Sequence, residues 1–167
     1  MNRLREYFRE FRSRDRALMV ESFMIWHRNG DLDLDPVYQR EYVWTQKEQD
    51  AFLVTLVRGF PIGVIAISDD INFKEKKWIE IIDGKQRLTT LFKFIDGEIG
   101  IPMPDGSRLY WNEMTKSEQL RFRGIPMPAL DLQECTARDR LEFFYRTNFA
   151  GVPQSEEHKN KILEMMK

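Results

Sequence analysis

Cysteine is almost missing from this chain: Cys135 is the only one in 167 residues. A lone thiol excludes an intramolecular disulfide framework and any zinc site built from several cysteines. Histidine is nearly as scarce, and His27 and His158 stand too far apart in sequence for a spaced metal-ligand pair or a His-rich nuclease centre. An excess of charge of one sign is lacking too. Lys and Arg number 26 against 27 Asp and Glu, a formal net charge of −1, so contact with nucleic acid has to come from local patches. No apolar run approaches the roughly 20 residues that span a bilayer. The Arg-rich, acid-containing N-terminus is not a secretory signal, so a cytoplasmic chain with no membrane partner is expected. Internal repeats, low-complexity tracts and Gly/Ser linkers are absent. So are a Gly-x-x-x-x-Gly-Lys-[Ser/Thr] phosphate loop, a Ser/His/Asp order and an activated cysteine, since Cys135 sits among ordinary helix-start residues.

What is present is core material. With 42% hydrophobic and 13% aromatic residues, the length suits a single domain, 1–167, that needs no staple. The central stretch runs from Trp78 to Ile95. Trp78 to Ile82 is β-branched and apolar, as a buried strand is; Asp83-Gly84 breaks it; Leu88, Leu91, Phe92 and Ile95 then recur at helical spacing. A strand thus feeds a helix through a polar turn.

Around this unit, Leu4, Tyr7, Phe8 and Phe11 among alternating Arg and acids predict an amphipathic helix over residues 1–16, a candidate partner contact. A second helix is expected from Ala17 to about Arg28, ended by Gly30. Leu32 and Leu34, alternating with Asp31, Asp33 and Asp35, predict a short edge strand rather than a calcium loop, because the EF-hand glycine and distal Glu are missing. Val37 to Trp44 has no regular period and reads as a shaped loop. Thr45-x-x-Glu48 is a capping box for a helix ended near Gly59. Val64 to Ile67 reads as a buried strand, and 69–77 as a charged hairpin loop. Pro104-Asp105-Gly106 signals a hairpin, and Thr115 to Glu118 a second capping box. Ile125 to Leu132, with two prolines, predicts an edge strand. Thr136 and Ser155 cap two last helices, and Tyr145 to Pro153 closes the first of them. The whole is an α+β domain with residues 133–167 as a helical satellite.

The turn at Asp83 to Arg87 invites two readings. Asp83 could cap the helix, with Lys85, Gln86 and Arg87 as an exposed first turn. Cations at a helix N-terminus, however, oppose the macrodipole unless an anion sits there. The physics therefore favours an anion site. Gln39 and Arg40 between Tyr38 and Tyr42, and Arg146 and Asn148 near a helix end, are weaker signals, equally explained as a core-plugging loop and a helix C-cap.

Four motifs in order, Pro36-x-Tyr-Gln-Arg-x-Tyr-Val-Trp44, Gly59-Phe-Pro-Ile-Gly63, Ile82-Asp-Gly-Lys-Gln-Arg-Leu-Thr-Thr-Leu91 and Arg146-x-Asn-x-x-Gly-Val-Pro-x-Ser155, resemble those of the GmrSD-type restriction-enzyme N-terminal domain. That domain is of the ParB/sulfiredoxin-like superfamily, and the resemblance runs from about Val20 onward. It implies a small mixed sheet flanked by helices, and binding and hydrolysis of a nucleoside triphosphate with Mg²⁺. In this role Asp83, Gln86 and Arg87 would be catalytic, with Asp83 holding the metal or orienting the attacking water. Gln39, Arg40, Gly84, Lys85, Arg87, Thr89, Thr90, Arg146 and Asn148 would bind the nucleotide and its phosphates. Lys85 stands where the family usually has Gln, which preserves anion affinity. No Cys lies in the turn for sulfiredoxin chemistry, and no His-Asn-His pattern is present, so the chain is not expected to cut DNA by itself. The implied role is a sensor or regulatory NTPase of a bacterial or phage DNA restriction system, with DNA and an effector protein as partners. The alternatives are a non-catalytic DNA- or protein-binding module and a ParB-like nucleotide-gated clamp.

Overall fold

Side-chain alternation along two central strands sets the architecture. In β3 (Ile65–Ser68) and β4 (Ile79–Asp83), Ile65, Ile67, Ile79 and Ile81 enter one core, while Ala66 and Ile82 enter another on the opposite face. A strand presents successive side chains to opposite sides, so each strand needs cover on both faces. The computed structural model describes residues 12–69, 78–149 and 155–167.

The sheet has the order β1-β7-β3-β4-β2, with β1 (Arg12–Arg16), β2 (Leu32–Asp33) and β7 (Ala129–Gln133) completing it. The β1/β7 and β3/β4 pairs are antiparallel, and the β7/β3 and β4/β2 pairs parallel. Helices α1 (Val20–Asn29), α2 (Gln46–Val57), α3 (Lys85–Ile95) and α4 (Lys116–Arg123) supply Phe23, Leu53, Leu56, Leu88, Leu91, Phe94 and Phe122 to the first core. A small hairpin of β5 (Ile101–Pro102) and β6 (Arg108–Leu109) is pinned to α2 by a two-pronged Arg108–Asp50 ion pair at 2.9 and 2.6 Å. Helices α5 (Ala137–Phe149) and α6 (Glu156–Met165), within the segment expected as a satellite, share the second core with Ala66, Ile82 and Tyr38. These elements form the expected α+β domain, a mixed sheet flanked by helices.

Several local expectations give way to long-range partners. Arg12–Arg16, predicted as the end of a helix, are strand β1. Arg14 and Arg16 reach the fully buried Asp131 at 3.3 and 3.7 Å, and a ladder to a strand 117 residues away replaces the local helical spacing. Helix α1 begins at Val20, not Ala17, because Met19 bridges to Pro126 and the Val20 N–H bonds to the Ile125 carbonyl at 3.0 Å. Strand β7, predicted as an edge, lies between β1 and β3. Its prolines precede the ladder, and Pro128 contributes only its carbonyl, which accepts from Ile65 N–H at 3.0 Å. Tyr145 to Phe149 continue α5 as helix rather than ending it. Residues 1–11 of the expected first helix, the 70–77 part of the hairpin loop, and Gly151, Val152 and Pro153 lie outside the described residues.

Candidate functional site

The β4–α3 turn is built around Gly84. Its φ is +112°, a conformation that L side chains rarely adopt, and an added Cβ would lie 2.5 Å from the Ile65 side chain. Only glycine turns the chain this tightly into the helix. Gly84, not Asp83, is therefore the N-cap residue, and no side chain caps α3. The first N–H groups of α3 point out of the helix with the positive end of its dipole.

Arg87 spans this turn. One terminal nitrogen donates to the Ile62 carbonyl and the other to Asp83 Oδ2, both at 2.8 Å. The guanidinium passes so close over Gly63 that a Cβ there would sit 3.0 Å from it, which accounts for glycine in the Phe-Pro-Ile-Gly motif. Burial pulls the Arg87 pKa down from its ordinary value and Asp83 pulls it up. Two of its five donors are held by these contacts, leaving three for a ligand. Lys85 is buried, with its ammonium 2.6 Å from Asp35 Oδ1.

Loop 37–44 faces the turn. Gln39 donates to the Ile81 and Ile82 carbonyls at 3.0 and 2.8 Å, clamping the loop to β4. Gln86 is held at both ends of its amide: Oε1 accepts from Val43 N–H at 2.9 Å and Nε2 donates to the Glu41 carbonyl at 3.1 Å. Gln86 is thus a strut between helix and loop. Arg40, half-buried beside it, has no hydrogen bond or ion pair among the described residues.

These groups enclose a cavity of about 150 Å³, walled by Gln39, Arg40, Asp83, Gly84, Lys85, Gln86 and Arg87, with Trp44, Phe144 and Asn148 closing its sides. Three cations and one carboxylate line it. Seven of the candidate residues are brought together here, and Asn148 reaches the wall from α5 while donating to the Phe144 carbonyl at 2.9 Å. Three are not. Arg146 is exposed on α5 and pairs with Glu142 at 3.0 Å. Thr90 is fully buried, its hydroxyl donating to the Gln86 carbonyl at 2.8 Å and meeting the Tyr42 hydroxyl at 2.9 Å. Thr89 does not line the cavity. Successive helix residues lie about 100° apart, so a motif read as a linear string cannot place all its side chains on one face. Asp35, the Ile62 carbonyl, Trp44 and Phe144 were missed as site components. The Gly59 to Gly63 and Pro36 to Trp44 motifs hold two of them, Ile62 and Trp44, without signalling their contacts.

Beneath the loop a second polar cluster serves the fold. Tyr38 donates to Glu80, and Glu80 pairs with Arg140 of α5 at 3.2 Å. Burial, with the Glu80 charge, holds the Tyr38 phenol far above its ordinary range, so it stays a donor. This explains the one acid within the apolar run of β4.

Among the described residues no group of three or more His, Cys, Asp or Glu side chains converges as a metal cluster, and no helix is long and apolar enough to cross a membrane. Residues 24–163 match the model of a family described as GmrSD restriction endonuclease, N-terminal domain. No curated protein matches the chain.

Proposed function

The chain belongs to the GmrSD restriction endonuclease N-terminal domain family, and from that premise we propose that it binds and hydrolyses a nucleoside triphosphate as a sensor or regulatory part of a DNA restriction system. The observation that carries this reading is the convergence of Arg40, Lys85 and Arg87 on the N-terminus of α3, with Asp83 the only acid in the wall. Such a site takes the charge of phosphate oxygens.

In this reading Arg40 and Lys85 bind the phosphates together with the amides at Gly84. Arg87, held rigid by Ile62 and Asp83, stabilises charge on the transferring phosphoryl group. Asp83 keeps one carboxylate oxygen clear of Arg87 and orients the attacking water. A single carboxylate also suits Mg²⁺ that arrives with the phosphates; such an ion supplies neutralisation of phosphate charge. Gln86 positions loop 37–44 and so holds Arg40 in place. Downstream, DNA and an effector protein are the partners whose activity the nucleotide state would set.

A binding module without turnover is the second reading, favoured by the commitment of both ends of Gln86 to backbone, where they do not face a water. Calorimetry with ATP, GTP, CTP and UTP in Mg²⁺, with phosphate release followed in parallel, tests both. Saturable binding with turnover is the expected result; binding without phosphate release leaves a nucleotide-binding module, and no binding by any of the four removes the nucleotide site and leaves a module for DNA or protein.

A further inference from the structure

The cavity at the β4–α3 turn is too small for a whole nucleotide. Its volume of about 150 Å³ falls below the roughly 300 Å³ at which pockets begin to take drug-sized molecules. A second cavity of about 410 Å³ abuts it, and Arg40 lines both. Loop 37–44 is the partition between them. Gln86 fixes this partition from the first side through Val43 N–H at 2.9 Å, and His158 Nε2 from α6 donates to the Tyr38 carbonyl at 3.1 Å.

The walls of the second cavity differ in chemistry from those of the first. Val43 offers an apolar side chain, 53% exposed, beside the flat Arg40 guanidinium. Glu157 and Lys161 stand one helical turn apart, at the spacing where such residues commonly pair. They form no ion pair, and neither has a partner among the described residues. A carboxylate repels phosphate and accepts hydrogen bonds from sugar hydroxyls, as acidic residues do with the ribose in dinucleotide sites.

We propose that this second cavity is the nucleoside subsite: the base lies against Val43 and the Arg40 plane, and Glu157 accepts hydrogen bonds from the ribose hydroxyls. The inference rests on the reading of the first cavity as the phosphate site. Arg40 then sits at the junction of phosphate and nucleoside, and ribonucleotides are preferred over 2′-deoxyribonucleotides.

Calorimetric titrations of the full chain with Mg²⁺ and either inorganic tripolyphosphate, each of the four ribonucleoside triphosphates, or the corresponding 2′-deoxy compounds test it, on the native protein and on Glu157→Ala. The native protein should bind its best ribonucleotide at least about tenfold tighter than tripolyphosphate, and about three- to tenfold tighter than the deoxy form, the size of one or two hydrogen bonds. Glu157→Ala should abolish the ribose preference and leave tripolyphosphate affinity unchanged. Tripolyphosphate binding as tightly as every nucleotide, or a ribose preference that survives in Glu157→Ala, overturns the subsite and leaves the phosphate site standing. Failure of tripolyphosphate and all nucleotides to bind overturns both.

Discussion

The ammonium of Lys85 lies 2.6 Å from the carboxylate of Asp35, fifty residues earlier in the chain. The pair is lopsided: the Lys85 side chain is 7% exposed and that of Asp35 74%. Asp35 therefore holds a buried cation in the cavity wall while remaining largely in water itself. The arrangement fixes the Lys85 side chain in place, where an arriving anion can share it with Asp35.

Asp35→Ala leaves that buried ammonium without its partner. The cost is expected at about 1–2 kcal/mol, between that of an exposed and a fully buried pair. Urea melts with and without tripolyphosphate check it: the anion should stabilise the variant more than the native protein, because it replaces the lost counter-charge. Equal stabilisation of the two would place Lys85 outside the anion site.

Arg40 and Arg87 should separate on mutation. Arg40 has no partner to lose among the described residues, so Arg40→Ala is expected to weaken nucleotide or tripolyphosphate binding about tenfold or more while stability changes by no more than ~0.5 kcal/mol. Arg87→Ala removes the link between Asp83 and the Ile62 carbonyl as well, and should lower both affinity and stability. Paired calorimetry and denaturant melts distinguish the two patterns.

Gly84→Ala places a side chain at φ +112° and against Ile65. Backbone strain of this kind costs about 1–3 kcal/mol, so a loss of ~2 kcal/mol or more is expected in denaturant melts. Gly106, whose φ is +85° with nothing within 4 Å of its added Cβ, supplies the control: Gly106→Ala should show the backbone cost alone.

The Asp50–Arg108 pair gives a pH signature. The Arg108 hydrogen bonds hold the Asp50 carboxyl below its usual 3.8. A depressed folded-state pKa contributes stability above the unfolded value that is lost as pH falls through the folded one. Asp50→Asn should therefore be less stable than the native protein by ~1 kcal/mol at neutral pH, and the gap should close below about pH 4. A gap independent of pH would assign the cost to packing.

Much of the fold was legible because its causes are local. Thr45 with Glu48 and Thr115 with Glu118 form the capping boxes their spacing announces, Gly30 adopts the left-handed conformation that ends α1, and the apolar strand before Asp83 is buried along its length. Arg12–Arg16 misled because the helical spacing of the apolar residues before them in sequence gives no sign of the partner in β7. The prolines before Ala129 misled because a proline's place relative to the ladder, which the sequence does not show, decides whether its missing N–H matters. In the site, Gln39, Arg40 and the Asp83 to Arg87 turn could be found by residue type and motif. Thr89, Thr90 and Arg146 belonged to the same strings but face elsewhere.

By itself, then, the sequence determined the strand–turn–helix unit at Asp83 to Ile95, its glycine hinge, the helix caps and the gathering of cationic residues, since each follows from residues within a few positions of one another. Only the tertiary structure decided that Asp35 neutralises Lys85, that Gln86 ties helix to loop, that Arg87 lies over Gly63, and that Arg40 stands between two cavities. Those relationships join residues 24 to 50 positions apart, or elements as distant as loop 37–44 and α6, and are set by packing on both faces of the sheet rather than by any local preference.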